Sequence, residues 1–174
     1  MTGTSTADLQ KVAATIQSVP AVLEVLLAPL DPEVLAKRPE PGEWSPLEVI
    51  GHLIDCDSVA FRDRIRGIID GEPVIAPFDE WVAINERDFN AASLDQLLDE
   101  LRAERARSVE FLLDLAPADL TRSSTFGDGR VFEANDFVQE WSFHDQDHIQ
   151  QILDATKLAY LPRMTSTMQD ALTR

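Results

Sequence analysis

The chain has 174 residues, 44% hydrophobic and 26% charged, enough to bury one sizeable core in a single domain spanning residues 1–174. Its 15 basic and 31 acidic residues give a formal charge of −16. So acidic a surface repels phosphate backbones and anionic lipid, which excludes nucleic acid and membrane as partners.

One cysteine, Cys56, permits no internal disulfide and fits a reducing, cytoplasmic setting. The opening MTGTSTADLQ has neither a basic stretch nor an apolar one, so no leader is expected. No apolar run approaches the ~20 residues of a membrane span.

In chain order, Ala7 to Leu30 has a helical pattern interrupted by Pro20, which predicts a break near Ser18 and a second helix ended by Pro29. Asp31-Pro32-Glu33 reads as a cap with Pro at the first helical position, opening one further turn. Arg38 to Glu43 reads as loop. Ser45-Pro46-Leu47-Glu48 is a capping box with proline in its preferred place. It starts a helix predicted to run to Asp70 and stop at Gly71. That helix carries an inward stripe of Val49, His52, Leu53, Cys56, Ala60 and Ile68.

Gly71 to Ala92 is a long connection with an amphipathic stretch from Asp79 to Phe89. Its length lets the helices on either side lie parallel. Ser93 and Gln96 form a second capping box. The next stripe is Leu94, Leu97, Leu98, Leu101, Arg105, Val109 and Leu112, ended by Ala116-Pro117. Thr125 to Val131, around Gly127-Asp128-Gly129, reads as a turn or small hairpin. A last long helix, about Glu133 to Ala155, carries Phe137, Val138, Trp141, His144, His148 and Ile152. Leu158 to Pro162 reads as extended or turn, and Met164 to Leu172 as a short helix. Four long amphipathic helices with little strand signal predict an all-α four-helix bundle.

The chain has three histidines, His52, His144 and His148, and each falls on an inward stripe. His144 and His148 are one turn apart on one face, so both rings can reach one ion. Buried imidazoles need partners. Ordinary core hydrogen bonds would satisfy each separately; a shared metal would satisfy all three together. Three neutral histidines leave an ion with open positions, the arrangement of a reactive site. Zn²⁺, Ni²⁺ and Fe²⁺ all accept imidazole, so the sequence does not choose among them.

Other residues have two readings. Cys56 is one turn after His52, either a fourth ligand or a small buried hydrophobe. Arg105 either snorkels to solvent or anchors a carboxylate of a substrate or thiol cofactor. Glu140, Asp145 and Asp147 are either solvated acids or partners that orient the rings. Trp81 and Trp141 read as core or, alternatively, as pocket lining.

Residues Pro41-Gly42-Glu43-Trp44-Ser45-Pro46-Leu47-Glu48-Val49-Ile50-Gly51-His52-Leu53 and His144-Asp145-Gln146-Asp147-His148 resemble the DinB-like superfamily of damage-inducible four-helix proteins. Pro77-Phe78-Asp79-Glu80-Trp81 resembles a stretch in one branch of that group. The likeness covers about residues 19 to 155. It implies an up-down-down-up bundle with a long connection between the second and third helices. It also implies a divalent metal held by His52, His144 and His148, and a homodimer. Members of the group include transferases and isomerases that use a low-molecular-weight thiol such as bacillithiol, mycothiol or glutathione. The leading expectation is therefore metal- and thiol-dependent transfer or isomerisation on a small electrophile. A non-catalytic metal-binding stress protein and a metal-dependent hydrolase are the rival readings.

Overall fold

Four long helices form the body of the computed structural model, which describes residues 6–75 and 77–172. Residues 1–5, where no leader is expected, lie outside the described residues, as does Ala76 in the long connection. The helices are α1 (Thr6–Leu27), α3 (Pro46–Cys56) continuing into α4 (Asp63–Asp70), α6 (Leu94–Asp114) and α7 (Ala134–Lys157). Shorter ones are α2 (Pro32–Leu35), α5 (Glu80–Glu86) and α8 (Ser166–Leu172). No helix among the described residues is long and apolar enough to cross a membrane.

The core consists of two apolar clusters. One contains Leu9, Ile16, Phe61, Ile65, Leu112 and Trp141. The other contains Val19, Leu27, Leu47, Leu53, Leu97, Leu101 and Ile152. Helix α1 and helix α7 run from the first cluster to the second, whereas α3–α4 and α6 run from the second to the first. The order is thus up-down-down-up. Parallel succession of α4 and α6 requires a connection that travels back along the bundle, roughly 30 Å for a helix of α6's length. Residues 71–93 make that journey. Within them, Ile84 and Phe89 are buried in the second cluster.

Three strands cap the end formed by the first cluster. β2 (Ser123–Phe126) and β3 (Val131–Glu133) form the expected hairpin, antiparallel, with Gly129 at φ 86°. The sequence does not announce β1 (Val74–Ile75), which pairs parallel with β2.

Two expectations need correction. Helix α1 does not break near Ser18 but runs through Pro20. A proline inside a helix costs about 3 kcal/mol. Here Leu9, Val12, Ile16, Val19, Leu23 and Leu27 are all buried along one continuous stripe, and each contributes roughly 1.5–3 kcal/mol of burial. Their sum outweighs the lost backbone bond. Trp81 is not core: it is 41% exposed, its ring centroid 5.3 Å from that of Trp44. Its short helix is anchored instead by the buried Ile84, about one turn further on.

Candidate metal centre

Helix α3 is held at its start by the sequence around Ser45. The Ser45 hydroxyl accepts from the Glu48 backbone at 3.1 Å, and Glu48 accepts from the Ser45 backbone at 2.8 Å. Arg38 grips both Glu48 oxygens at 2.6–3.0 Å. About two turns further on, His52 points into the bundle, 2% exposed.

His52, His144 and His148 converge. Nε2 of His52 lies 3.1 Å from Nε2 of His144. The ring centroids are 5.1 Å apart for His52 and His144, 4.5 Å for His52 and His148, and 4.4 Å for His144 and His148. His144 Nδ1 is buried without a partner, whereas His148 Nδ1 meets the Gln151 side-chain oxygen at 2.8 Å. That oxygen only accepts, which puts the His148 proton on Nδ1 and leaves a lone pair on Nε2.

Burial and the neighbouring histidines hold the His52 imidazole down at about 2, and burial with His144 holds His148 at about 4. Both rings are therefore neutral at physiological pH, as metal ligation demands. Two Nε2 atoms facing each other at 3.1 Å share at most one proton between them. A cation between them would use the facing lone pairs of His52 and His144, so these donors fit a divalent ion of the imidazole-accepting class.

Cys56 also approaches. Its Sγ is 3.4 Å from His52 Nε2, and donor atoms of His52, Cys56 and His144 all lie within 4.8 Å of one another. Burial, with Asp57 and Asp55 adding to it, pushes the thiol well above its ordinary range. Thiolate is the ligating form, so this environment favours a buried thiol.

Arg105 does not stand free for a substrate. Its guanidinium is 1% exposed, bonded to Asp145 at 2.8 Å and 3.2 Å from Asp57. Burial raises the Asp57 carboxyl to about 6 against the opposing pull of Arg105. Asp57 also accepts from Trp141 Nε1 at 3.0 Å and Ser108 Oγ at 2.9 Å. Asp145 lies 4.0 Å from His144 Nδ1 and has one buried oxygen without a partner. Glu140 and Asp147 are exposed.

Asp57 and Trp44 carry more of the site than the sequence shows. Residues 57–62 form a π-helical segment between α3 and α4. Such a segment re-aims the side chains that follow it. Asp57, the first residue of the segment, is fully buried, as is Cys56 before it. No signal in the sequence marks that widening. Trp44 stands in the sequence just before the Ser45 cap, and its ring lies 4.7 Å from His52 and stacks 6.2 Å from His148.

A cleft of about 450 Å³ meets this region through Trp44 and Gln151. A larger one, about 840 Å³, reaches α7 at Glu140, one turn before His144.

Among solved structures, YfiT from Bacillus subtilis superposes with a TM-score of 0.78 over 91% of each chain, at 20% identity. It is described as a four-helix bundle of unusual topology, and the likeness supports the fold. A protein of Oceanobacillus iheyensis is 25% identical over 142 residues, 82% of either chain. One from Geobacillus thermodenitrificans is 24% identical over 151 residues, 86% of this chain and 85% of its own. Both are provisionally named metal-dependent hydrolases. The family model for the DinB superfamily matches residues 15–152. That span runs from α1 through all three histidines, and the chain belongs to the DinB superfamily.

Proposed function

We propose that this chain is a metal-dependent hydrolase of a small molecule, with His52, His144 and His148 holding the divalent ion. The observation that carries the reading is the convergence of three imidazoles, His52 buried and His144 and His148 partly buried, with His52 and His148 held neutral and His52 and His144 facing at 3.1 Å. The provisional names of the relatives point the same way. A divalent ion bound by three histidines supplies Lewis acidity and lowers the pKa of a water or thiol that reaches it.

The chain's own groups do the rest. Trp44 and Phe61 flank His52 and His144 with apolar rings that limit bulk water. Glu140 stands one turn before His144, on the same helix face and open to solvent. In this reading it takes the proton as water oxygen attacks an acyl carbon, and returns it to the leaving group.

Thiol-dependent transfer uses the same ion, but Arg105, expected as the thiol's anchor, is engaged by Asp57 and Asp145. Hydrolysis is therefore the reading we favour.

The test starts with elemental analysis of protein purified without a metal-affinity tag. Metal-loaded protein is then assayed on a panel of esters and amides, and on thiols with an electrophile. We expect one ion per chain and hydrolysis lost in Glu140→Gln with metal retained. Turnover only in the presence of a thiol would replace the hydrolase with the transferase. Metal with no turnover in either panel would leave a metal-binding stress protein.

A further inference from the structure

The larger cavity, about 840 Å³, lies between α4, α7, the β2–β3 hairpin and Pro77–Phe78. Its volume is in the range of small-molecule sites. Phe78, Phe126, Phe132 and Phe137 line it, together with Arg64 and Glu140. Phe126 packs edge-on to Phe132 at 5.0 Å and stacks on Phe137 at 5.5 Å. The rings thus present an apolar wall, with Phe132 edge-on to the stacked pair Phe126 and Phe137.

Arg64 is the polar feature of that wall. Its guanidinium lies over Phe126 at 5.4 Å and Phe137 at 5.8 Å. Its Nε is buried without a partner, and among the described residues no carboxylate lies within 4.0 Å of its nitrogens. The other charges around the cavity are committed elsewhere. Arg130 is bound to Asp128 at 2.7 Å, and Asp136 accepts from the Glu133 backbone at 2.8 Å. Glu140 is exposed and acts on Arg64 only through space. A half-buried arginine left unpaired in a chain of charge −16 is unusual, because acidic partners abound and desolvation without one is costly. Its planar fork suits a carboxylate.

We propose that this cavity recognises a small molecule with a flat apolar body and a single carboxylate, the body against the phenylalanines and the carboxylate on Arg64. As an assignment of substrate class this rests on the hydrolase reading, through Glu140, which lines the cavity one turn before His144. As a binding site it stands on its own. A dianion is disfavoured, because its second charge would meet Glu140, Asp128 or Asp136.

The experiment is calorimetric titration of 2-naphthoate and its neutral isostere 2-naphthamide. The protein is wild type, metal-loaded and metal-free, alongside Arg64→Met and Arg64→Lys. Wild type should bind the acid at least about tenfold more tightly than the amide, the preference a charge-assisted bond confers. Arg64→Met should bind both alike, with the amide affinity unchanged, which shows the cavity intact. Arg64→Lys should keep a reduced preference. Equal binding of acid and amide by wild type, a preference that survives Arg64→Met, or no binding at millimolar ligand would each overturn the proposal. A preference that follows Arg64 without any hydrolytic activity would uphold this site and remove the hydrolase reading alone.

Discussion

Replacing Gly51 by alanine should destabilise the protein, although alanine is the better helix former. Gly51 is the residue before His52 in α3, and it is where the long connection docks. A Cβ built on Gly51 would lie 2.4–2.5 Å from three ring atoms of Phe89. Carbon atoms prefer about 3.5–4.0 Å, so something must move by roughly 1 Å. The ring has little room to yield: it is 1% exposed, belongs to the second core cluster, and has the Arg87 guanidinium 4.8 Å over its face. Alanine gains about 1 kcal/mol in an ordinary helix interior. Overpacking a filled core costs about 1–3 kcal/mol, and three simultaneous overlaps argue for the upper end. The net loss should be about 2 kcal/mol, or about 4–8 °C in Tm for a chain of this size. Thermal and urea unfolding of Gly51→Ala, Phe89→Leu and the double variant measure it. The double variant should be less destabilised than the two singles added together, since the smaller side chain makes room for the methyl. Metal affinity should fall with Gly51→Ala, because α3 carries His52 beside the disturbed contact. A Gly51→Ala protein more stable than wild type would refute the packing argument.

Other expectations follow from the site. His148→Ala should lose most of the bound metal and Cys56→Ser should keep it; an intense thiolate charge-transfer band in the cobalt-loaded wild type would instead make Cys56 a ligand. In the metal-free protein His52 and His148 take protons only near about 2 and about 4, whereas in the unfolded chain they do so near ~6.5. The unfolded state therefore binds more protons below pH 6.5, and stability falls as pH falls, on the order of 1 kcal/mol per unit for each histidine. Asp57, raised to about 6, acts in the opposite sense below pH 6, so the clean measurement is wild type against His148→Leu by urea unfolding from pH 7 to 5. An unchanged pH slope in the variant would contradict the burial of that ring as a neutral base. Arg105→Leu strands Asp57 and Asp145 as buried carboxylates and should cost about 3–5 kcal/mol, read by chemical denaturation; a loss under 1 kcal/mol would show that the pair is not buried in solution. Ser45→Ala removes a cap that also donates to Asn90 at 2.6 Å and should cost about 1–2 kcal/mol, with no loss in unfolding experiments meaning that the cap is redundant.

Local chemistry determined much of this protein on its own. Both serine capping boxes, the stop at Gly71 and the hairpin around Gly129 are present as the sequence predicts, because caps and turns depend on a few adjacent residues. The three histidines converge because their helical phase puts them on buried stripes. Tertiary structure decided what depends on opposing elements. Continuity of α1 through Pro20 required a core long enough to outweigh the missing hydrogen bond. Arg105, a cation in a leucine stripe, could be assigned only once Asp57 and Asp145 were in place. Phe89, remote in sequence from Gly51, meets it across a gap that only glycine leaves open. Helical periodicity specifies which face is buried; which charge or ring waits across the interface is set by packing among segments far apart in the chain.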